Sequence, residues 1–334
     1  MSHLNILVNL PAGFFTSPAL TGAFARLAQH GTVRTTSHDT AEQITNDLAW
    51  ADVVLMWSWP ILDNMLLDAA PRLRFSGQLD ITQRAARIAL DRGLPVSVTR
   101  RAFSPAVAEM ALGLILNTLR KISVHQGAMR TGTEQWVAGF PEDIDPDERE
   151  LSGRAVGLIG FGAVGQRLCE LLQPFCCHLC TYDPFVPEGV AERAGVRRTD
   201  LHTLLAASEV VVLCAASNAG TAHLLAAPEI ALLPPRAVLV NVARAALVDT
   251  PALIARLRQG DLYAALDVFD QEPLPADAEL RTLPNAFLTP HRAGGILDSV
   301  SRLLNQLIDD LEAYLDELPR THALAESWLP SLDA

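Results

Sequence analysis

Three short segments hold side chains able to bind an anion and move a proton. Asn241-Val242-Ala243-Arg244 ends in a guanidinium. Asp267-Val268-Phe269-Asp270-Gln271-Glu272-Pro273-Leu274 holds a carboxylate before a proline, and Thr289-Pro290-His291-Arg292-Ala293-Gly294 places an imidazole after one. Imidazole titrates near neutral pH, which suits it to give and take a proton. A carboxylate beside it favours the protonated form and holds the ring's orientation. A guanidinium presents a fixed fork of donors that fits a carboxylate and polarises a carbonyl. Taken singly, Arg244 reads as a surface charge, Glu272 as a loop acid and His291 as a structural histidine. Each, however, follows an apolar run that reads as a strand, at 237–241, 264–268 and 286–289. In an open α/β sheet, ligands bind beyond the carboxyl ends of the strands, so the three can converge on one site.

The element that must position a reactant there is Gly160-Phe161-Gly162-Ala163-Val164-Gly165. An apolar run at 155–159 reads as a buried strand before it, and 166–172 has the apolar spacing of a helix after it. Strand, glycine turn and helix form the context of a dinucleotide site. The first glycine permits the tight turn, the second lets a pyrophosphate approach the backbone, and the third lets helix and strand pack closely. The helix N-terminus offers free N–H groups and partial positive charge to the phosphates. Asp183, closing the next strand-like run, falls about 20 residues on, where an acid for the ribose 2′-hydroxyl belongs. A carboxylate there repels a 2′-phosphate, so the expected cofactor is NAD.

The remainder of the chain must build the sheets. Alternating strands and helices are expected from the start: strands at 4–10, near Val33, and at 51–57, 73–76 and 95–98, with helices at 17–29 and 62–70. This pattern implies a small α/β domain with a parallel sheet. Ser104 and Pro105 are expected to cap and open a long apolar helix. A polar, irregular region covers 130–150, and its Trp136 and Phe140 either meet a second subunit or pack on their own. Further strands at 209–213, 237–241, 264–268 and 286–289 complete a doubly wound sheet. A last helix, about 296–317, carries the apolar stripe Leu303, Leu304, Leu307, Ile308, Leu311, Leu315.

Bulk properties narrow the function class. The 334 residues are 49% apolar and 19% charged, enough for a sizeable core in two domains. A net charge of −12 disfavours nucleic acid and anionic membrane as partners. No run long and apolar enough for a membrane span, and no basic leader, is read from the sequence, so a cytoplasmic protein is expected. Of the five cysteines, Cys177 and Cys180 have a metal-like spacing. They read better as small apolar fillers, and no metal site is expected.

With the glycine turn, Asn-x-x-Arg, Asp-Val-Phe-x-x-Glu-Pro-Leu and Thr-Pro-His in this order, the chain resembles the D-isomer-specific 2-hydroxyacid dehydrogenases. The resemblance is strongest from Leu151 to Gly295. It implies two Rossmann-like or flavodoxin-like parallel-sheet domains with the active site in the cleft between them. The substrate domain would be discontinuous, 1–102 with 296–334, and the NAD-binding domain 103–295. It further implies a homodimer and a small 2-keto or 2-hydroxy acid as substrate. In the reducing direction His291 supplies the proton to the carbonyl oxygen, Glu272 partners His291, and Arg244 binds the substrate carboxylate and carbonyl. The resemblance places Asp267 against the nicotinamide carboxamide and the backbone of Ala243 near the same ring. It also makes the loop at Gly77 and Gln78 a holder of the substrate carboxylate. Trp57 and Trp59 either narrow the pocket towards glyoxylate- or hydroxypyruvate-sized acids or are core packing. Arg100 and Arg101 either meet a second anionic group on a larger substrate or are a solvated pair.

Departures from the family pattern are Cys214-Ala215-Ala216 in place of a His-Pro pair, Ala245 in place of a glycine, and Phe175-Cys176-Cys177 in place of Phe-Gly. None removes a catalytic group. An NAD(H)-sensing regulatory protein on the same fold is the alternative reading, and oxidation of another small anion such as formate a third. A sensor has no need of Arg244, Glu272 and His291 together, which favours the enzyme.

Overall fold

Short runs of Val, Ile, Leu and Ala without polar interruption form strands covered on both faces, as parallel sheets require. The computed structural model describes residues 3–57 and 59–332, apart from the side chains of Arg100, Pro330 and Ser331. The chain divides into two compact units, Met1–Phe103 with Ile296–Ala334, and Ser104–Gly295.

In the first unit β1 (Leu4–Asn9), β2 (Gly31–Thr36), β3 (Val53–Met56), β4 (Phe75–Gln78) and β5 (Val96–Val98) form one sheet in the order β2-β1-β3-β4-β5. All its pairings are parallel. The C-terminal helix Leu297–Leu315 lays Leu303, Leu304, Leu307, Ile308 and Leu311 against Ile6, Val8, Val53, Leu55 and Phe75. The helices Ala41–Trp50 and Gln83–Asp91 were not expected from the sequence. The first buries only Ile44 and Leu48; the second is strongly amphipathic, but the face it buries is alanine rather than large aliphatic side chains. Their start signals are side-chain caps: Thr40 with Gln43 in a capping box, and Thr82 accepting from the Ala85 N–H.

In the second unit β6 (Ala155–Ile159), β7 (His178–Tyr182), β8 (Arg197–Arg198), β9 (Val210–Leu213), β10 (Ala237–Asn241), β11 (Leu262–Leu266) and β12 (Ala286–Leu288) form a seven-stranded sheet. Its order, β12-β11-β10-β9-β6-β7-β8, reverses direction between β6 and β9. That is the switch point at which doubly wound sheets open a crevice for ligands. Because every pairing is parallel, all the carboxyl ends lie along one edge.

The helix Ser104–Leu119 covers one face of this sheet, burying Ala108, Ala111, Leu114, Ile115 and Leu119 beside Val156, Leu158, Val238 and Val240. Two expectations are corrected here. The stretch Arg101–Leu119 is long and apolar enough to cross a membrane. Its buried residues pack into the core, which accounts for that composition without a bilayer. Ser104 is the first helical residue, not a cap ahead of it, because the chain enters through the 3-10 turn Arg100–Phe103. A further helix, Ile122–Thr131, starts at Lys121 in a left-handed conformation and buries no residue.

Candidate active site

The glycine turn sits at the carboxyl end of β6. Gly160 has φ +93°, and a Cβ there would lie 2.6 Å from the Ala215 nitrogen. A Cβ on Gly165 would lie 2.4 Å from the Gly160 carbonyl oxygen, so this position closes the helix onto the turn. Gly162, the N-cap of the helix Ala163–Leu172, faces open space instead. Two crowded glycines and one open one fit a turn that a pyrophosphate approaches at its second glycine. The N–H groups of the first helical turn, at Ala163 and Val164, lack intrahelical partners and are the donors for such a ligand.

Asp183 ties this turn to the end of β7. Its Oδ2 accepts the Phe161 N–H at 2.8 Å and its Oδ1 the Phe185 N–H at 2.8 Å. Each oxygen keeps a second lone pair for a ribose hydroxyl. Phe161, expected to contact the cofactor, holds the turn: its ring is buried in the core, and its carbonyl accepts from Gln166 Nε2. On the neighbouring strand end, burial pushes the Cys214 thiol up to about 12, so it meets the site as a neutral, apolar group.

Arg244, Glu272 and His291 follow β10, β11 and β12, which are neighbours in the sheet. His291 Nδ1 donates to Glu272 Oε2 at 2.6 Å, and Glu272 Oε1 accepts the Phe269 N–H at 3.0 Å. Partial burial works against the charged carboxylate. The hydrogen bonds from His291 and Phe269, with the charges of His291 and Arg244, outweigh it and hold Glu272 below the ordinary glutamate range. The carboxylate therefore stays ionised throughout the neutral range. With Nδ1 engaged, His291 presents Nε2 for proton transfer. Arg244 is exposed; its Nη1 donates to the Ala243 carbonyl at 2.8 Å, leaving its other donors for a ligand.

Two buried side chains hold these turns. Asn241, not singled out from the sequence, accepts the Ala243 N–H at 3.0 Å and donates to the Arg244 carbonyl at 2.9 Å. It fixes both Ala243 and Arg244; its signal was the Asn-x-x-Arg spacing at a strand end. Asp267 accepts from Thr289 Oγ1 at 2.5 Å and from the N–H groups of Arg292 and Ala293 at 2.9 and 2.8 Å. Fully buried, it is committed to the turn that carries His291.

The first unit corrects the expected carboxylate loop. Gly77 and Gln78 lie inside β4, paired to Leu55, Ser97, Met56 and Val98. A Cβ on Gly77 would lie 2.7 Å from Leu55 Cδ2 and 3.0 Å from Leu307 Cδ2, so the glycine is required by core packing. Gln78 is buried and donates to Ser76 Oγ. Trp57 stacks on Phe14 at 5.7 Å and meets Trp59 and Phe103 edge-on, and the Trp59 indole donates to Asp39. Ser58 between the two indoles and the Arg100 side chain lie outside the described residues; Arg101 is exposed.

The family departures are accommodated unequally. Ala245 opens the 3-10 turn Ala245–Leu247, which accepts a Cβ. Cys176 adopts φ +51°, a left-handed position that favours the glycine of the family pattern. The Cys177 thiol donates to the Leu151 carbonyl, and Cys180 pairs with Ser208 Oγ inside the core. Among the described residues no group of three His, Cys, Asp or Glu side chains is placed to hold a metal ion.

Residues 112–293 match the family model of the D-isomer-specific 2-hydroxyacid dehydrogenase NAD-binding domain. The chain is 31% identical over 290 residues to a glyoxylate reductase of Thermofilum pendens, covering 83% of each protein. It is 31% identical over 281 residues to a D-3-phosphoglycerate dehydrogenase of Methanocaldococcus jannaschii, covering 83% of this chain and 52% of that protein, so it spans about half the length of that relative. Among solved structures it resembles an NADPH-dependent glyoxylate/hydroxypyruvate reductase of Sinorhizobium meliloti in complex with NADP and malonate. The identity is 27%, the TM-score 0.74 and the coverage 98% of both chains.

Proposed function

Since this chain belongs to the D-isomer-specific 2-hydroxyacid dehydrogenases, a family of nicotinamide-dependent oxidoreductases, we propose that it interconverts a small 2-keto acid and its D-2-hydroxy acid. The reading is carried by the 2.6 Å contact between His291 and Glu272, with Arg244 on the neighbouring strand end. When bound, the reduced cofactor supplies a hydride to the carbonyl carbon. Arg244 binds the substrate carboxylate and polarises the carbonyl. His291 Nε2 delivers the proton to the oxygen as negative charge develops there, and Glu272 keeps the imidazole oriented. Gly162, Ala163 and Val164 would hold the cofactor's phosphates at the helix N-terminus. Glyoxylate and hydroxypyruvate are the substrates of first choice, in line with the names of the Thermofilum and Sinorhizobium proteins.

The proposed cofactor preference, NAD over NADP, rests on Asp183; the Sinorhizobium protein is named NADPH-dependent. The test is oxidation of NADH and of NADPH against glyoxylate, hydroxypyruvate, pyruvate, 2-ketobutyrate and phenylpyruvate. NADH should win by about tenfold or more, because a 2′-phosphate meets a like charge at Asp183. Asp183→Ser should narrow that gap. An NADPH preference in the wild type would overturn Asp183's role. NADH binding without turnover of any keto acid would favour the sensor reading.

The homodimer is part of the same proposal. Trp136, Val137, Phe140 and Ile144 are all exposed within one short segment, and such an apolar patch marks an interaction surface. Light scattering should find twice the chain mass, and Trp136→Glu with Phe140→Glu should shift it to the monomer. A monomeric wild type would end this part of the reading.

A further inference from the structure

We propose that a cavity behind the loop carrying Glu272 is an effector site for a single-ring aromatic molecule that bears a hydrogen-bond donor and no negative charge. The cavity encloses about 170 Å³ between the helix Thr250–Leu257 and the segment that follows β11. Its walls are Leu253 and Ile254 from the helix, Leu266 and Val268 from the strand end, and Leu274 and Leu280 from the loop. An apolar cavity of about 150 Å³ stays dry and takes up a benzene ring. This one is separate from the active site. Alternation along the strand puts Leu266 and Val268 on the face opposite Asp267 and the His291 turn. Leu266 accordingly shares a core with Leu253 and Leu280, while Ala265 belongs to the core on the other face. Arg244, Glu272 and His291 do not line the cavity.

The mouth decides the charge of the ligand. Asp270 and Gln271 are exposed there, beside Glu279. Arg258 donates to both oxygens of Glu279 at 2.6 Å, whereas Asp270 has no hydrogen-bond or ion-pair partner among the described residues. A free carboxylate at the rim of an apolar cavity accepts a donor strongly and repels an anion. Phenol meets these terms. Benzoate, the same ring with a carboxylate, does not, and neither does a keto acid. One wall is also part of the catalytic loop: Phe269 lines the cavity, and its N–H holds Glu272 Oε1 at 3.0 Å. The Glu272–His291 contact, at 2.6 Å, is already at full strength, so a ligand that shifts Phe269 can only loosen it. This coupling to turnover rests on the functional reading above; the binding site does not.

The experiment is calorimetry of phenol with wild type, Ala278→Phe and His291→Asn, together with crystal structures of the wild type soaked in phenol and in benzoate. Phenol should bind with a Kd of about 1 mM, in keeping with so small a ligand, and lie between the 250–257 helix and the 268–280 loop. Benzoate should be absent from that place. Ala278 is half-buried and lines the cavity, so a phenylalanine there occupies the space and should weaken phenol binding about tenfold or more. His291→Asn should leave the Kd unchanged. If Ala278→Phe fails to fold, Ile254→Phe fills the same space from the helix side and carries the same expectation. Phenol bound equally by the filled variant, lost in His291→Asn, matched by benzoate in the cavity, or seen only at crystal concentration would each overturn the site. In the wild type, saturating phenol should lower kcat about twofold or more with KM for the keto acid unchanged. A raised KM at constant kcat, or no effect on turnover, would overturn the effector role. Absence of wild-type turnover defeats the functional reading separately. Calorimetry and the crystals then still decide the site, and an unmoved His291–Glu272 contact in the phenol complex would refute the coupling.

Discussion

Replacing His291 by asparagine should lower kcat for keto-acid reduction by about 10²- to 10⁴-fold, the range lost with a general acid. Asparagine is the sharper choice than alanine because it tolerates the left-handed backbone that His291 occupies, and so removes the proton donor without disturbing the turn. NADH affinity should hold, since the glycine turn and Asp183 are untouched. KM should change little, because the substrate carboxylate is assigned to Arg244. Glu272→Gln should fall between the variant and the wild type: the amide can still meet the imidazole but no longer supplies charge. The pH profile carries a further check. Glu272 lies below the ordinary glutamate range, so its ionised form is present above that range and is lost only as pH falls through its lowered value. Activity should therefore show no carboxylate limb between pH of about 5 and 7 that Glu272→Gln removes. A His291→Asn protein that keeps turnover within a few-fold of wild type would remove the assignment of acid and base.

Gly160→Ala and Gly162→Ala should separate the two jobs of the glycine turn. At Gly160 the backbone is left-handed and a methyl would press on main-chain atoms of Ala215 and Cys214 at 2.6–2.9 Å. Neither strand end can yield without breaking β6–β9 pairing, so a loss of roughly 2–4 kcal/mol in stability is expected, together with loss of NADH binding. At Gly162 the space is open and φ is −73°, so stability should change by less than about 1 kcal/mol. The methyl would nevertheless stand where the pyrophosphate approaches the backbone, and NADH affinity should fall. Urea unfolding and quenching of tryptophan fluorescence by NADH read the two effects independently. Equal NADH affinity in Gly162→Ala and wild type would show that phosphate is bound elsewhere.

Asp267 shows how far the candidate site could be read before folding. Its place at the end of a strand, in Asp-Val-Phe-x-x-Glu-Pro-Leu, is local, and the family pattern assigned it to the cofactor. Its three hydrogen bonds to residues 289–293 are not local, and they show that it also holds the turn that carries His291. Asn241 is the converse case: its bonds to the Ala243 N–H and the Arg244 carbonyl span only two and three residues, and the Asn-x-x-Arg spacing already carried them. The helices at 41–50 and 83–91 escaped because they bury few large aliphatic side chains, Ile44 and Leu48 in the first and alanines in the second, although Thr40 and Thr82 mark where they begin.

The sequence by itself determined the elements whose cause is local. Uninterrupted aliphatic runs specified strands buried on both faces, the Gly160–Gly165 spacing specified a turn open only at its second glycine, and the polar residues after 241, 268 and 289 specified strand ends fit for chemistry. Tertiary structure alone decided which strands are neighbours, and thus that Arg244, Glu272 and His291 follow three adjacent ones. It also decided that Gly77 is a core position, because the side chains that exclude a Cβ, Leu55 and Leu307, come from a neighbouring strand and from the far end of the chain. The division has one physical origin. Periodicity and backbone preference act over a few residues, whereas burial and the pairing of buried donors with acceptors depend on which distant segments the folded chain brings together.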